Sequence, residues 1–406
     1  MSLVINTNIS SLNAQNNLNK SQSALSQATE RLSSGLQINS AADNAAGFAI
    51  ATRFQTQIGG LSQASTNASD AINLAQTAGS ALSQVTSNLQ AIRDLAVQSA
   101  NGTYQASDRA AINTEVQQRL SEITRIANQT SFNGTNILNG QAGNLSFQIG
   151  SNVGQVINVN LGQGVTTSQV GQISQVSTGS ISGDFVDTSG NATTLNLSTI
   201  TITGAGGASV ALSGTASNAQ GVADAINAAG LQGVTAAVNA SGGINIYSTG
   251  ALAVSGGSAG ATSVAGSGSS LTSSATYDGV TGTSTTESTN ATYTAGTTIQ
   301  AGGSLQGGDV LTVDDANQLI SRIDAALTSV SNFNSTLGAI QNRFQSTIAT
   351  LSAQSTNLQS SQSSIQDADF AQETANLSKA QVLQQAGISV LATANSQPQN
   401  VLKLLQ

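Results

Sequence analysis

The chain has 406 residues, 38% hydrophobic, 7% charged and 3% aromatic, with 41 glycines, one proline and no cysteine, histidine or tryptophan. This composition supplies no Ser-His-Asp or Cys-His nucleophile, no zinc site of the usual nitrogen/sulfur kind and no disulfide. All 11 basic residues lie at or before Arg125 or at and after Arg322, so the formal charge of −8 falls on the middle of the chain. Eight acids stand there without a base: Asp184, Asp187, Asp224, Asp278, Glu287, Asp309, Asp314 and Asp315. The ends balance, and 33 of the glycines share the acidic middle. Neutral ends can associate with copies of themselves, while an unbalanced acidic middle is better placed in solvent. No basic face or aromatic platform suits nucleic acid. No run of about 18 apolar residues suits a membrane, and residues 1–30 lack the pattern of a secretory signal. If the chain is exported, it leaves by a route that reads no cleaved leader.

In chain order, Leu18, Leu25 and Leu32 stand seven apart with Ala28 between, a weak helical stripe. A stronger seam starts at Ile72 and continues through Ala75, Gly79, Leu82, Val85 or Thr86, Leu89, Ile92 and Ala96. Alternating steps of three and four make this a heptad pattern, and its small residues permit close helix approach. Asn101-Gly102-Thr103 reads as a turn. Ser107 or Asp108 then caps a helix striped by Ile112, Val116, Leu120, Ile123 and Ala127.

The period then changes to two. Leu145, Phe147 and Ile149 alternate, as do Ile157, Val159 and Leu161, and the Gly150–Gly154 connection makes them a β-hairpin. Leu195, Leu197, Ile200, Ile202, Val210 and Leu212 suggest strands before a short helix near Gln220–Ala229. Val234, Val238, Ile244, Ile246 and Tyr247 close that unit, and residues 251–310 are a small β domain or loosely ordered loops. Asp314 and Asp315 mark the start of a helix of about nine turns carrying Leu319, Ile323, Ala326, Val330, Phe333, Leu337, Ile340, Phe344, Ile348 and Leu351. The last stripe is thin: Leu377, Ala380 or Gln381, Leu383 or Gln384, Ala386 or Gly387, Val390, Leu391 and Ala394, leading to Val401, Leu402, Leu404 and Leu405. The outer stripes pair with each other inside one chain, or need partners from other subunits. The fold class is mainly α with a β-rich insertion, a coiled-coil-like helical rod built from both ends.

Candidate chemistry is sparse. Gly256-Gly257-Ser258-Ala259-Gly260 spells a nucleophile elbow but has no histidine to serve it. Asp314-Asp315 and Asp367-Ala368-Asp369 read as helix-start carboxylates and not as calcium ligands. Asn-x-Ser/Thr strings such as Asn133-Gly134-Thr135 follow from composition.

The opening MSLVINTNISSLNAQNNLNKSQSALSQATERLSSGLQINSAADNAAGFAIATRF and the segment NLQAIRDLAVQSANGTY resemble the amino-terminal signature of bacterial flagellin. The ending from STLGAIQNRFQSTIATL to SVLATANSQPQNVLKLLQ resembles its carboxyl-terminal signature. The stretch LNLSTITITGAGG…GGINIYS looks like the β-α-β "IN" motif of flagellin and hook-associated proteins. The resemblance implies a non-catalytic protomer of an extracellular helical filament serving motility, without cofactor or metal. It implies an inner, channel-lining helical core from 1–45 with 363–406; the thin stripe and weak propensity of these segments lead to the expectation that they are disordered in the monomer. An outer core from 46–175 with 311–362 holds the hairpin near 144–161, and 176–310 form a variable outward β-rich domain. Polymerisation falls to Leu18, Leu25, Leu32, Leu383, Leu391, Val401, Leu402, Leu404 and Leu405.

Implied partners are other copies of the chain, the flagellar type III export apparatus, an export chaperone bound at the C-terminal end, and the hook-associated junction and cap proteins. The innate flagellin receptor is a further one. Gln90, Arg93, Leu95 and Glu115 match its patch, while Ala91 departs from the family's arginine, which implies weakened binding. Gln37, Ala42, Asn44 and Gln366 stand where relatives often carry charge, so amide hydrogen bonding is expected there instead. Two rival readings are the hook–filament junction protein, which the full flagellin-like ending opposes, and a secreted adhesin. An enzyme is the reading least supported by the residues.

Overall fold

Asn8 opens the first helix: its side-chain carbonyl accepts the Ser11 N–H at 3.2 Å, taking up a donor that a helix start leaves unpaired. That helix, α1 (Ile9–Ser34), stops at Gly35, whose φ of 71° is the left-handed cap conformation. A computed structural model describes residues 8–178, 180–181, 185, 192, 194–198, 200–255 and 303–404, with Ala205 and residues 397–404 described as backbone. Asn44 accepts from Gly47 N–H at 2.9 Å and starts α2 (Ala45–Ser99). In α3 (Ala106–Gln129) the cap differs from expectation. Gln105 is the N-cap, and Asp108, three residues on, accepts the Gln105 N–H at 3.1 Å. Ser107 lies inside the helix and caps nothing.

The strands follow the period of two. β1 (Ser131–Phe132) and β2 (Thr135–Asn136) flank Asn133-Gly134, both at positive φ, as a two-residue hairpin loop requires. β3 (Asn144–Gln148) pairs with β4 (Val156–Asn160), which is the expected second hairpin. Next come β5 (Ser174–Ser177), β6 (Leu195–Asn196), β7 (Thr201–Thr203), β8 (Ser209–Ala211) and β9 (Thr215–Ala216). The short helix α4 (Ala219–Ala228) precedes β10 (Val234–Val238), β11 (Ile244–Ser248) and β12 (Ala253–Ser255). The chain ends in α5 (Val313–Gln366) and α6 (Phe370–Leu404). Thr312 and Asp315 form the reciprocal cap of α5: Thr312 N–H donates to the Asp315 carboxylate, and Asp315 N–H donates to Thr312 Oγ1.

Contacts divide the chain into two units, and α2 and α5 contribute to both. The first unit holds residues 1–69, 148–156 and 346–406. Here α1 packs on α6 through small residues, with Ala14, Ala28, Ala380 and Ala394 buried. A Cβ added at Gly387 would stand 3.4 Å from Leu18 Cδ1, so glycine sets the close approach of the pair. Amides and hydroxyls add specificity: Asn8 Nδ2 donates to Ala394 O at 2.8 Å and Ser11 Oγ to Asn395 Oδ1 at 2.7 Å. At the other end of the pair Gln37 N–H donates to Gln366 O at 2.7 Å, and Leu36 bridges to Asp367. Arg31 approaches Glu373 to 4.0 Å. Leu61 and Ala64 of α2 bury against Leu351 of α5.

The second unit holds residues 70–147 and 157–345. All five expected positions of α3 are buried, as are Leu82, Val85, Leu89, Ile92 and Ala96 of α2. Upstream Ala75 is buried as expected, with Ala71, Leu74 and Ala78 buried beside it, while Ile72 and Gly79 are half-buried. A helix of 3.6 residues per turn drifts against a strict heptad, so one stripe does not hold its facing over about seven turns. On α5 the expected positions are buried except Ile340 and Ile348, which are half-buried. Phe147 of the hairpin meets Phe344 edge-on, with ring centroids 5.7 Å apart.

The β-rich insertion has its own core, where Ile200, Ile202, Val222, Ala223, Ile226, Ile244 and Ile246 are buried together. Its central strand β11 lies between β10 and β5, and all five of its residues are buried. Ile244 and Ile246 face that core, while Tyr247 faces the other way and packs with Ile173 and Ala325 of α5. Gln175 and Gln318, and Thr235 and Ser321, hydrogen-bond across the same face. The expected limit at residue 175 thus falls inside β5. The expected limit at 310 also lies beyond residues that pack with the helices: Leu305 and Val310 are fully buried, and Ser99 Oγ donates to Val310 O at 2.6 Å.

Candidate assembly surfaces

Two helices packed mainly on each other bury one narrow strip each, and α1 and α6 keep much apolar surface uncovered. Leu18, Leu25, Leu32 and Leu391, the leucines expected to polymerise, are half-buried. Leu383 is 48% exposed and Val390 57%. Sequence reasoning missed Ile9, Leu12, Phe370, Val382 and Ile388, which are also exposed. The signal was there: each stands off the stripe, so further uncovered apolar positions follow from counting the residues that the stripe omits. The helix runs through Val401, Leu402 and Leu404 as described backbone, and Leu405 lies outside the described residues.

A second surface concerns α2 and α3. Gln90 and Asp94 are exposed, and Ala91 and Leu95 are half-buried, on the side away from Leu89 and Ile92. Arg93 is engaged: its Nε donates to Asp324 Oδ1 of α5 at 2.7 Å, and that carboxylate raises the guanidinium above its ordinary value. Glu115 accepts from Arg119 at 2.7 Å, one turn along α3. Gln90, Ala91 and Leu95 thus share one stretch of α2, and the two charged residues of the expected patch each hold an intramolecular partner.

Asp315 and Asp369 act at helix starts, while Asp314 reaches the insertion and Asp367 follows the end of α5. Asp314 accepts the Ala240 N–H at 2.9 Å, and Asp369 accepts from Ala371 N–H at 2.9 Å at the start of α6. Among the described residues no group of three acidic side chains gathers as a cation site, and no helix is long and apolar enough to cross a membrane. The string Gly256–Gly260 lies outside the described residues, as do Asp184, Asp187, Asp278 and Glu287.

Comparison with known proteins agrees with this geometry. The bacterial flagellin N-terminal helical region matches residues 5–143, and the bacterial flagellin C-terminal helical region matches residues 320–405. The flagellin of Serratia marcescens is 41% identical, with 100% of both chains covered. That of Salmonella typhimurium is 38% identical and the B-type flagellin of Pseudomonas aeruginosa 36%, again with both chains covered in full. With both helical ends matched and whole-chain identity at this level, the chain belongs to the bacterial flagellins, non-catalytic structural subunits that polymerise into the flagellar filament and serve motility.

Proposed function

We propose that this flagellin joins its filament through the apolar residues that α1 and α6 leave uncovered, with residues 1–45 and 363–406 forming the inner core. The exposure of Leu383 and Val390 together with Ile9, Leu12, Phe370, Val382 and Ile388 carries the reading. Apolar area removed from water contributes about 25 cal/mol per Å², so seven such side chains favour association strongly. Leu18, Leu25, Leu32, Leu391, Val401, Leu402, Leu404 and Leu405 extend the same contact. One thin seam and many Asn, Ser and Gln residues leave the α1–α6 pair weakly stabilised in the free subunit, so contacts with other subunits complete its ordering. The outer core follows residues 46–175 with 311–362, extended through β5 and back to Leu305, and the acidic domain between them faces solvent.

The finer partners follow from family membership. The chain leaves the cell unfolded through the flagellar type III export apparatus, escorted by a chaperone that covers its C-terminal helix. It meets the hook-associated junction and cap proteins at the filament's two ends. The innate flagellin receptor reads Gln90, Arg93, Leu95 and Glu115 only weakly, since Ala91 offers one methyl where an arginine donates up to five hydrogen bonds.

Negative-stain electron microscopy of L383D/V390D tests the assembly reading. Loss of filaments with the outer core still folded by circular dichroism supports it, and filaments of normal length overturn it. For the receptor, titration of the subunit against Ala91→Arg should show tighter binding of the variant. Equal affinities overturn that part.

A further inference from the structure

Three Asn-Gly pairs lie between α2 and β3: Asn101-Gly102, Asn133-Gly134 and Asn139-Gly140. None takes part in the assembly surfaces. An asparagine followed by glycine can react with its own backbone. The glycine nitrogen, once deprotonated, attacks the asparagine Cγ, and no Cβ obstructs its approach. The surroundings set which pair does so.

We propose that Asn101 is a self-modification site, converting through a cyclic imide to aspartate and isoaspartate while the protein stays folded. Asn101, Gly102 and Thr103 are all exposed in the turn between α2 and α3. Thr103 N–H donates to Asn101 Oδ1 at 3.2 Å. That bond polarises the side-chain carbonyl and stands where the oxygen gains negative charge when the nitrogen adds. The attacking group is free to act, since Gly102 N–H has no acceptor among the described residues. Arg109 places a positive charge beside the reaction, its guanidinium donating to Asn101 O at 3.0 Å, Ser99 O at 2.9 Å and Tyr104 O at 2.8 Å. A cation there favours loss of the Gly102 proton and steadies the carboxylate that forms.

The other two pairs lack this combination. Asn133 and Gly134, at φ of 49° and 78°, are held between paired strands, and closing the ring would pull them out of the hairpin loop. Asn139 Oδ1 accepts from Gln141 N–H at 3.0 Å, but Gly140 is walled in. Its Cβ position lies 3.0 Å from Gly164 N and 2.7 Å from Gln169 Nε2.

In the first step a bond forms between Gly102 N and Asn101 Cγ, the Cγ–Nδ2 bond breaks, and ammonia leaves with the displaced proton. Water then opens the imide. Addition at Cγ yields aspartate; addition at the main-chain carbonyl carbon yields isoaspartate, whose main chain runs through Cβ. Either product adds a negative charge next to Arg109.

Trypsin isolates the site, because the peptide Asp94–Arg109 holds Asn101 alone while the other two pairs share the peptide between Arg125 and Arg322. The full-length native protein is aged in buffers of rising alkalinity, digested and read by mass spectrometry with fragmentation that separates isoaspartate from aspartate. Conversion at Asn101 should run several-fold ahead of the other two sites and accelerate with pH. In denaturant the three sites should react at similar rates. Gly102→Ala should slow the reaction several-fold and fold normally, since its Cβ meets nothing within 4 Å. No conversion at Asn101, conversion led by Asn133 or Asn139, an unchanged rate in Gly102→Ala, or the same preference in denaturant would each overturn the proposal.

Discussion

In α2, Leu82, Leu89, Ile92 and Ala96 are fully buried; in α6, Leu383 and Val390, seven residues apart in a similar stripe, stand about half exposed. The difference is in the neighbours. That part of α2 shares its unit with α3, most of α5 and hairpin strands, whereas α6 packs mainly on α1, through alanines and one glycine. A heptad stripe therefore states that a helix wants a partner, and the number of partners in the same chain decides whether the stripe is covered. Where it is not covered, the remaining apolar surface becomes a means of joining other subunits.

The largest expected effect comes from cutting the insertion out at the wrong place. Removing residues 176–310 deletes half of β5 together with Leu305 and Val310, and leaves Ser99 Oγ without its acceptor. That variant should lose the cooperative thermal transition of the outer core. Removing 179–302, with a short Gly-Ser linker, keeps those residues and should retain a transition, lowered because Ile173 and Ala325 lose Tyr247. Equal melting of the two deletions would erase the distinction between insertion and helical core.

Next in size, Leu89→Ala should cost the free subunit about 2–5 kcal/mol in urea unfolding, as a fully buried leucine loses its contacts and leaves a cavity. Leu383→Ala should change that value by less than about 0.5 kcal/mol and show its effect only in the critical concentration for polymerisation. Comparable losses of subunit stability would mean that α6 is already covered. Smaller again, Ser99→Ala leaves the buried Val310 carbonyl without its donor and should cost about 1–3 kcal/mol by the same measurement.

The smallest effect is one of pH. Burial, and then the charge of Asp315, raise the Asp309 carboxyl above the usual carboxylate range. The folded state therefore holds that proton more firmly than the unfolded chain, so Asp309 costs stability as pH rises through its raised value. Asp309→Asn should match the parent at low pH and unfold at higher urea above that value. A gain at all pH values alike would locate the effect elsewhere than in ionisation.

The sequence pattern alone led to the helices, to both strands of the 144–161 hairpin, and to the α3 stripe from Ile112 to Ala127 residue by residue. It also placed Asp315 at a helix start. These features depend on spacing within one or two turns, or on alternation within one strand, and such patterns are written locally. Long-range partners were not legible: Arg93 finds Asp324 across 231 positions, and the burial of Leu305 and Val310 is invisible in a glycine-rich run. The choice of Gln105 over Ser107 as the α3 cap was also hidden, because serine is the favoured cap type and the capping bond comes from Asp108 reaching back to the Gln105 N–H. Length, composition and stripe spacing thus determined that this protein is a largely helical chain with apolar seams. Tertiary structure decided which seams are closed and which stay open, because burial depends on how many distant segments converge on a face, and spacing along the chain carries no record of that.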